Sequence, residues 1–304
     1  MSDDATDRAM RPVQAAALSR IARRLHRAGS PPWLHAEVAR RMGERLALIR
    51  VVPDEVIDWW GGDDAGTDVL HKAYPRARLL RVVDPGWAPH RVAAAPWWSP
   101  RRWAGSAPET IEPGAVRAGS AGLVWANMML HGVADPAAEL RQWHRALAVD
   151  GFVMFSTLGP GSLQGLRELY AQHGWPSPHA AFVDMHDIGD MLVRAGFADP
   201  VMDQELITLT WPDAGALLAE LRTLGGNADP RRYAGLRTPR WRQQLLEALQ
   251  GLRDEQGRVR LVFEVVYGHA FKAAPKPRVT TQTEVALDDM RTMVRSSRRD
   301  TPPR

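Results

Sequence analysis

The chain has 304 residues, of which 45% are hydrophobic and 24% charged, with a net charge of +4 and no cysteine. This length can bury a full core in one large domain or two smaller ones, and the composition is that of a soluble globular protein. Disulfides, thiol nucleophiles and cysteine-ligated metals are excluded. No apolar run approaches the roughly 20 residues of a membrane helix, and the polar, acidic opening MSDDATDRAM does not read as a signal peptide, so a cytoplasmic protein is expected.

In chain order, residues 1–12 read as a disordered leader. From Val13 to about Arg27 apolar residues recur at helical spacing opposite a basic face, and Ser30-Pro31-Pro32 breaks the helix. A second helix fits Trp33 to Ile49, with Leu34, Val38, Met42, Leu46 and Ile49 at spacings of three and four. Residues 56–64, VIDWWGGDD, then give a short strand ending at Asp58, a turn, and a helix-like segment through Leu70 and Tyr74. Strand, turn and helix in that order can grip a cofactor. Glycines let the backbone come close to the ligand, and the helix N-terminus offers it unpaired N–H groups.

The next strand is ARLLRVV, Ala77 to Val83, closed by Asp84-Pro85-Gly86. An acid at the end of a second strand can accept ribose hydroxyls, and an acid can equally serve only to open a turn. Spacing alone leaves both readings of Asp84 open. Residues 87–119 show little periodicity. Their cluster Trp87, Trp97, Trp98 and Trp103, set among arginines and prolines, can fill space beneath a loop or can cap a ligand cavity.

The pattern then sharpens. Ala121 to Met129 reads as a buried strand leading into a loop, Pro136 to Leu147 as a helix, and the segment after the Gly151 turn as another buried strand. Helices follow over Ser162–His173 and Ile188–Ala195, then two long strands, VMDQELITLTW and VRLVFEVVYGHAF. Between these strands, residues 213–250 are helical and arginine-rich, an insertion placed to cap the strand ends. Mostly alternating strands and helices predict an α/β sandwich whose parallel sheet ends in an antiparallel hairpin. From residue 276 the chain reads as a disordered basic tail. Such an arm can touch nucleic acid, but without an apolar face it reads as solvated.

Four passages carry a family resemblance: GFVMFSTLGPGSLQGLREL from Gly151, FVDMHDIGDMLVRAGFADPVMD from Phe182, LRTLGGN from Leu221 and FEVVYGHAFK from Phe263. With them the chain from about Arg20 to Lys276 resembles the class I S-adenosylmethionine-dependent methyltransferases. More narrowly, it is similar to the BioC-like group, the malonyl-acyl-carrier-protein O-methyltransferases of biotin synthesis. The resemblance implies a Rossmann-like sheet of seven strands with S-adenosylmethionine over the ends of the first strands. It also implies methyl transfer to the free carboxyl of a malonyl thioester on acyl-carrier protein. The cofactor-binding residues so implied are Asp58, Trp60, Gly61, Gly62, Asp84 and Asn127. His131, in the loop after the fourth strand, is the substrate-pocket candidate.

No catalytic base stands out, and the chemistry needs none, because a carboxylate is already nucleophilic at neutral pH and alignment suffices. Arg222, Arg231, Arg232, Arg237, Arg240 and Arg242 of the insertion are candidates to hold the malonyl carboxylate or the acidic carrier. His269 belongs to a shared strand and reads as structural. Asp184 and His186 lack the paired spacing of a metal site, so no metal is expected.

The departures from the family lie around the cofactor. The family's first motif is an acid, one residue, then glycine-x-glycine-x-glycine, whereas this chain has Asp58, Trp59 and then Trp60-Gly61-Gly62-Asp63-Asp64. Asp63 and Asp64 place negative charge where the donor's carboxylate would lie. The family acid of strand two aligns with Val83, the acid that opens strand four with Gly122, and a glutamine–tryptophan pair with His131 and Gly132. A tyrosine–aspartate pair before the second helix is replaced by the region from Gly29 to Trp33. Two readings therefore stand. One is an active BioC-like methyltransferase with a degenerate turn; the other is a pseudo-methyltransferase that no longer binds S-adenosylmethionine and acts as a binding or regulatory partner.

Overall fold

Residues 12–28, 30–61, 65–84 and 108–274 are described by a computed structural model. Gly62, Asp63, Asp64, the tryptophan loop 87–103, the tail 276–304 and all of the expected leader but Pro12 lie outside the described residues. Two helices open the fold, α1 (Ala15–Arg27) and α2 (Trp33–Leu46). Parallel strands and helices follow: β1 (Glu55–Trp59), α3 (Thr67–Ala73), β2 (Arg78–Val82), β3 (Glu109–Ile111), β4 (Ala121–Ala126), α4 (Pro136–Ala146) and β5 (Leu147–Leu158). The chain continues through α5 (Gln164–Gln172), α6 (Met185–Arg194), β6 (Ala198–Trp211), α7 (Ala214–Thr223), α8 (Pro239–Ala248) and β7 (Val259–Phe271).

The sheet order is β3-β2-β1-β4-β5-β7-β6. Strands β3 to β5 run parallel, and β7 lies antiparallel between β5 and β6. The seven strands, the antiparallel close and the helical insertion agree with the expected architecture. Strand order reverses between β1 and β4, and a crevice at such a reversal, beyond the carboxyl ends of the strands, is where open α/β sheets take ligands.

Period-two alternation sends each strand's side chains to two separate cores. Val56, Leu123, Trp125, Phe152 and Met154 join Leu34, Val38 and Met42 of α2 on one face. Ile57, Val124, Val153 and Phe155 join Leu140 and Trp143 of α4 and Ile188 and Leu192 of α6 on the other. A β-carbon on Gly268 of β7 would lie 2.3 Å from the Phe155 ring, so the shared YGHAF passage needs glycine for the close approach of strand and ring.

Three local expectations shift. Helix α2 stops at Leu46, and Ile49 packs from the following turn, its amide donating to the Leu46 carbonyl. The turn before the second half of β5 takes its left-handed residue at Asp150, with φ 64°, rather than at Gly151. The short strand β3 forms in a stretch where no strand was expected; its pairing with β2 supplies a ladder that side-chain periodicity does not announce.

Candidate active site

The turn after β1 is built on close contact. Asp58 is 3% exposed, and a β-carbon on Gly61 would stand 1.9 Å from its Oδ2, so Gly61 lets the backbone close over the carboxylate. Arg81 Nε lies 4.0 Å from the same oxygen, while its Nη2 donates to Thr67 Oγ1 at 2.7 Å. Trp60 has φ 63°, a left-handed conformation that penalises an L-residue by roughly 1–2 kcal/mol and that glycine adopts freely. Its amide donates to the Val82 carbonyl at 2.8 Å, which keeps the turn in register with β2. The indole N–H groups of Trp59 and Trp60 both donate to Glu139 Oε1 of α4, at 2.5 and 2.6 Å. Glu139 is 7% exposed, and burial raises its pKa against the lowering effect of the two indoles.

A cavity of about 530 Å³ opens at the carboxyl ends of β1 and β4, within the roughly 300–1,000 Å³ usual for small-molecule sites. Asp58, Trp59, Trp60, Gly61, Asn127 and His131 line its sheet side, Leu18, Ile21 and Leu25 of α1 another wall, and Leu218, Leu221 and Leu245 of the insertion a third. The LRTLGGN passage seams these walls together. Arg24 Nη1 donates to the Gly225 carbonyl at 2.9 Å, the Gln14 amide to the Ala228 carbonyl at 2.9 Å, and Asn227 Nδ2 to the Ser177 carbonyl at 2.6 Å. The insertion and α1 thus line the same cavity and are bonded to each other along it.

Residues 34–199 match a methyltransferase domain family. The chain is 38% identical over 255 residues to the malonyl-[acyl-carrier protein] O-methyltransferase of Laribacter hongkongensis, spanning 81% of this chain and 84% of that protein. It is 37% identical to the protein of the same name from Halorhodospira halophila, spanning 84% and 87% of the two chains. This chain belongs to the malonyl-[acyl-carrier protein] O-methyltransferase family. Its fold is shared by the YcgJ protein of Bacillus subtilis, with a TM-score of 0.53 at 11% identity over 78% of this chain and 99% of that one, and by a putative methyltransferase from Bacillus halodurans, with a TM-score of 0.51 at 14% identity over 78% and 100%.

Within this family fold the residues named from sequence fall into two groups. Asp58, Trp60, Gly61, Asn127 and His131 converge on the cavity, and Asp84, half-buried two residues beyond β2, is not among its lining residues. Gly62 lies outside the described residues. The Asn127 amide is engaged within the protein at both ends: Nδ2 donates to the His35 carbonyl at 2.9 Å, and Oδ1 accepts from Ser156 Oγ at 3.0 Å. It therefore ties α2 and β5 to the loop after β4. His131 Nδ1 lies 3.5 Å from Thr157 Oγ1, and the ring meets Phe182 edge-on, 6.0 Å between centroids.

Of the six arginines of the insertion, Arg222, Arg237 and Arg242 line the cavity. Arg237 spreads over the Tyr233 and Trp241 rings at 3.9 and 4.2 Å, whereas Arg231 is paired with Asp229 at 3.2 Å. His269 is half-buried on β7, its pKa lowered by that burial, and Asp184 caps α6 by accepting from the His186 amide at 2.8 Å. Neither histidine is among the lining residues of the cavity.

Sequence reasoning missed Glu139 and Gly66. Glu139 reads as an ordinary first-turn acid of an amphipathic helix, and only the fold brings it beneath the tryptophans. Gly66 precedes α3, where a β-carbon would lie 2.6 Å from Trp125 Nε1. The signal for it was its place just before a helix in a glycine-bearing turn.

Proposed function

We propose that the protein is an active methyltransferase that moves a methyl group from S-adenosylmethionine to the free carboxyl of a malonyl thioester carried on acyl-carrier protein, a cytoplasmic reaction. One observation supports this reading over the pseudoenzyme: Trp60 takes the left-handed form that a glycine adopts freely, so a glycine-type conformation stands at that position although the residue is tryptophan. The cradle at Gly61 and a cavity of about 530 Å³ beside it also fit the donor. Asp58, Gly61 and the Trp60 backbone would hold it, with Asn127 fixing the opposite loop.

When bound, S-adenosylmethionine supplies a methyl group already activated on a sulfonium. The chain's own task is then to exclude water and align the acceptor. Leu18, Ile21 and Leu25 of α1 and Leu218, Leu221 and Leu245 of the cap make the dry wall. Arg222, Arg237, Arg242 and His131 provide donors for the malonyl carboxylate, and no residue need take a proton because the acceptor is already ionised.

Calorimetric titration of the purified full chain with S-adenosylmethionine and S-adenosylhomocysteine tests the reading, together with mass spectrometry of malonyl-acyl-carrier protein after incubation with the donor. Micromolar binding and a methyl ester on the carrier are expected. Absence of heat at millimolar ligand overturns the proposal in favour of the pseudoenzyme.

A further inference from the structure

A residue with a bulky side chain stands in a glycine conformation at the mouth of the cavity, and something must hold it there. The Trp60 amide is fixed by the Val82 carbonyl at 2.8 Å, but that bond constrains only the backbone on one side. The indole is fixed by Glu139 Oε1 at 2.6 Å, and the same oxygen takes the Trp59 indole from the end of β1. One carboxylate oxygen thus bridges two consecutive residues, one in the strand and one in the turn. Burying a carboxylate is unfavourable unless donors meet it. Glu139 has such donors, and they come from the two residues at the junction.

From this geometry we infer that Glu139 is a positioning residue of the donor site. Through the two indoles it clamps the Trp59–Trp60 junction in the shape that lets Gly61 and Asp58 form the cradle. The inference rests on reading the cavity as the S-adenosylmethionine site. Glu139 acts through Trp60, so its effect depends on which residue stands at position 60. With a glycine there, the left-handed conformation needs no clamp.

The test is a two-residue cycle read by S-adenosylhomocysteine calorimetry on the folded full chain. Glu139→Leu is expected to weaken binding about tenfold or more, as loss of hydrogen bonds to a charged acceptor implies. Glu139→Gln, which keeps a carbonyl acceptor, recovers most of it. In a Trp60→Gly background, Glu139→Leu changes affinity by no more than about twofold. Equal affinities for wild type and Glu139→Leu, or an undiminished loss in the Trp60→Gly background, overturn the inference.

A second readout is independent of ligand. In two-dimensional ¹⁵N NMR spectra the indole N–H signals of Trp59 and Trp60, assigned with Trp→Phe variants, should shift together in Glu139→Leu and lose protection from hydrogen exchange. Unmoved signals refute the clamp. If wild type binds no S-adenosylhomocysteine while the signals do move, the clamp stands and the donor-site reading fails.

Discussion

The turn after β1 departs from the family pattern, whereas the strands β5 to β7 carry it. In β7, Gly268 leaves room for the Phe155 ring, which occupies the space where its β-carbon would stand, 2.3 Å away, and the surrounding YGHAF passage reads plainly as family. In the turn, Trp60 stands where the family motif has its first glycine, and its φ is 63°. The difference lies in what each glycine is for. Gly268 makes room for a neighbouring side chain, which nothing else can do. Position 60 needs only a backbone conformation, which a tryptophan can adopt when its indole and amide are both held.

Removing the negative charge of the turn should give the largest change in donor affinity. Two like charges a few ångströms apart repel by about 1–4 kcal/mol. Asp63→Asn with Asp64→Asn should therefore tighten S-adenosylmethionine binding by roughly one to three powers of ten, measured by calorimetry. Unchanged affinity would mean that these acids do not oppose the donor.

A matched pair of glycine substitutions separates the two regions directly. Gly61→Ala and Gly268→Ala each force a β-carbon into occupied space, 1.9 Å from Asp58 Oδ2 and 2.3 Å from Phe155 respectively. Overpacking of this kind costs about 1–3 kcal/mol. Gly61→Ala should lose roughly 10- to 100-fold in S-adenosylhomocysteine affinity, and Gly268→Ala should lower the thermal midpoint by several degrees with affinity per folded molecule unchanged. The comparison fails if both variants lose binding alike.

A scaffold-only effect should appear in acid. Glu37 of α2 accepts from Arg40 and Arg41, each at 2.8 Å, and Arg41 also bridges to Glu205 of β6. The hydrogen bond from Arg40, opposed by burial and supported by Arg41, brings the Glu37 carboxyl from 4.5 down to about 2. A carboxyl depressed in the folded state stabilises above its unfolded value. That contribution should therefore be full above about pH 4.5 and lost as pH falls through about 2. After solvent screening it amounts to about 1–2 kcal/mol. Thermal midpoints between these two pH values should show a slope in wild type that Glu37→Gln flattens, without change in donor affinity at neutral pH.

How much was legible follows the same division. Helices α1 and α2, the strands β4 to β7 and the cap follow from apolar spacing and turn residues, because burial on one face or two writes itself into sequence. Asp58, Gly61, Asn127 and His131, named through the family resemblance, line one cavity, as strand ends in such a sheet converge. Glu139 was not, because its partners lie some eighty positions away and an acid in a first helical turn has a sufficient local explanation. The left-handed Trp60 was hidden as well: sequence shows a tryptophan where the family motif has a glycine, and only the backbone angle shows a glycine-type conformation there.

The smallest expected effect falls on the wall made by α1 and the insertion. Arg24 of α1 donates to the Gly225 carbonyl in the cap at 2.9 Å, and both residues line the cavity. Arg24→Ala removes one partly solvent-exposed hydrogen bond across that seam, a loss of about 1 kcal/mol. The proposed donor cradle at Asp58 and Gly61 is untouched by this change. S-adenosylhomocysteine affinity should stay within about twofold, while KM for malonyl-acyl-carrier protein rises severalfold at nearly constant kcat. An equal loss in both would place the donor against α1 as well, and the cavity would then work as one undivided site.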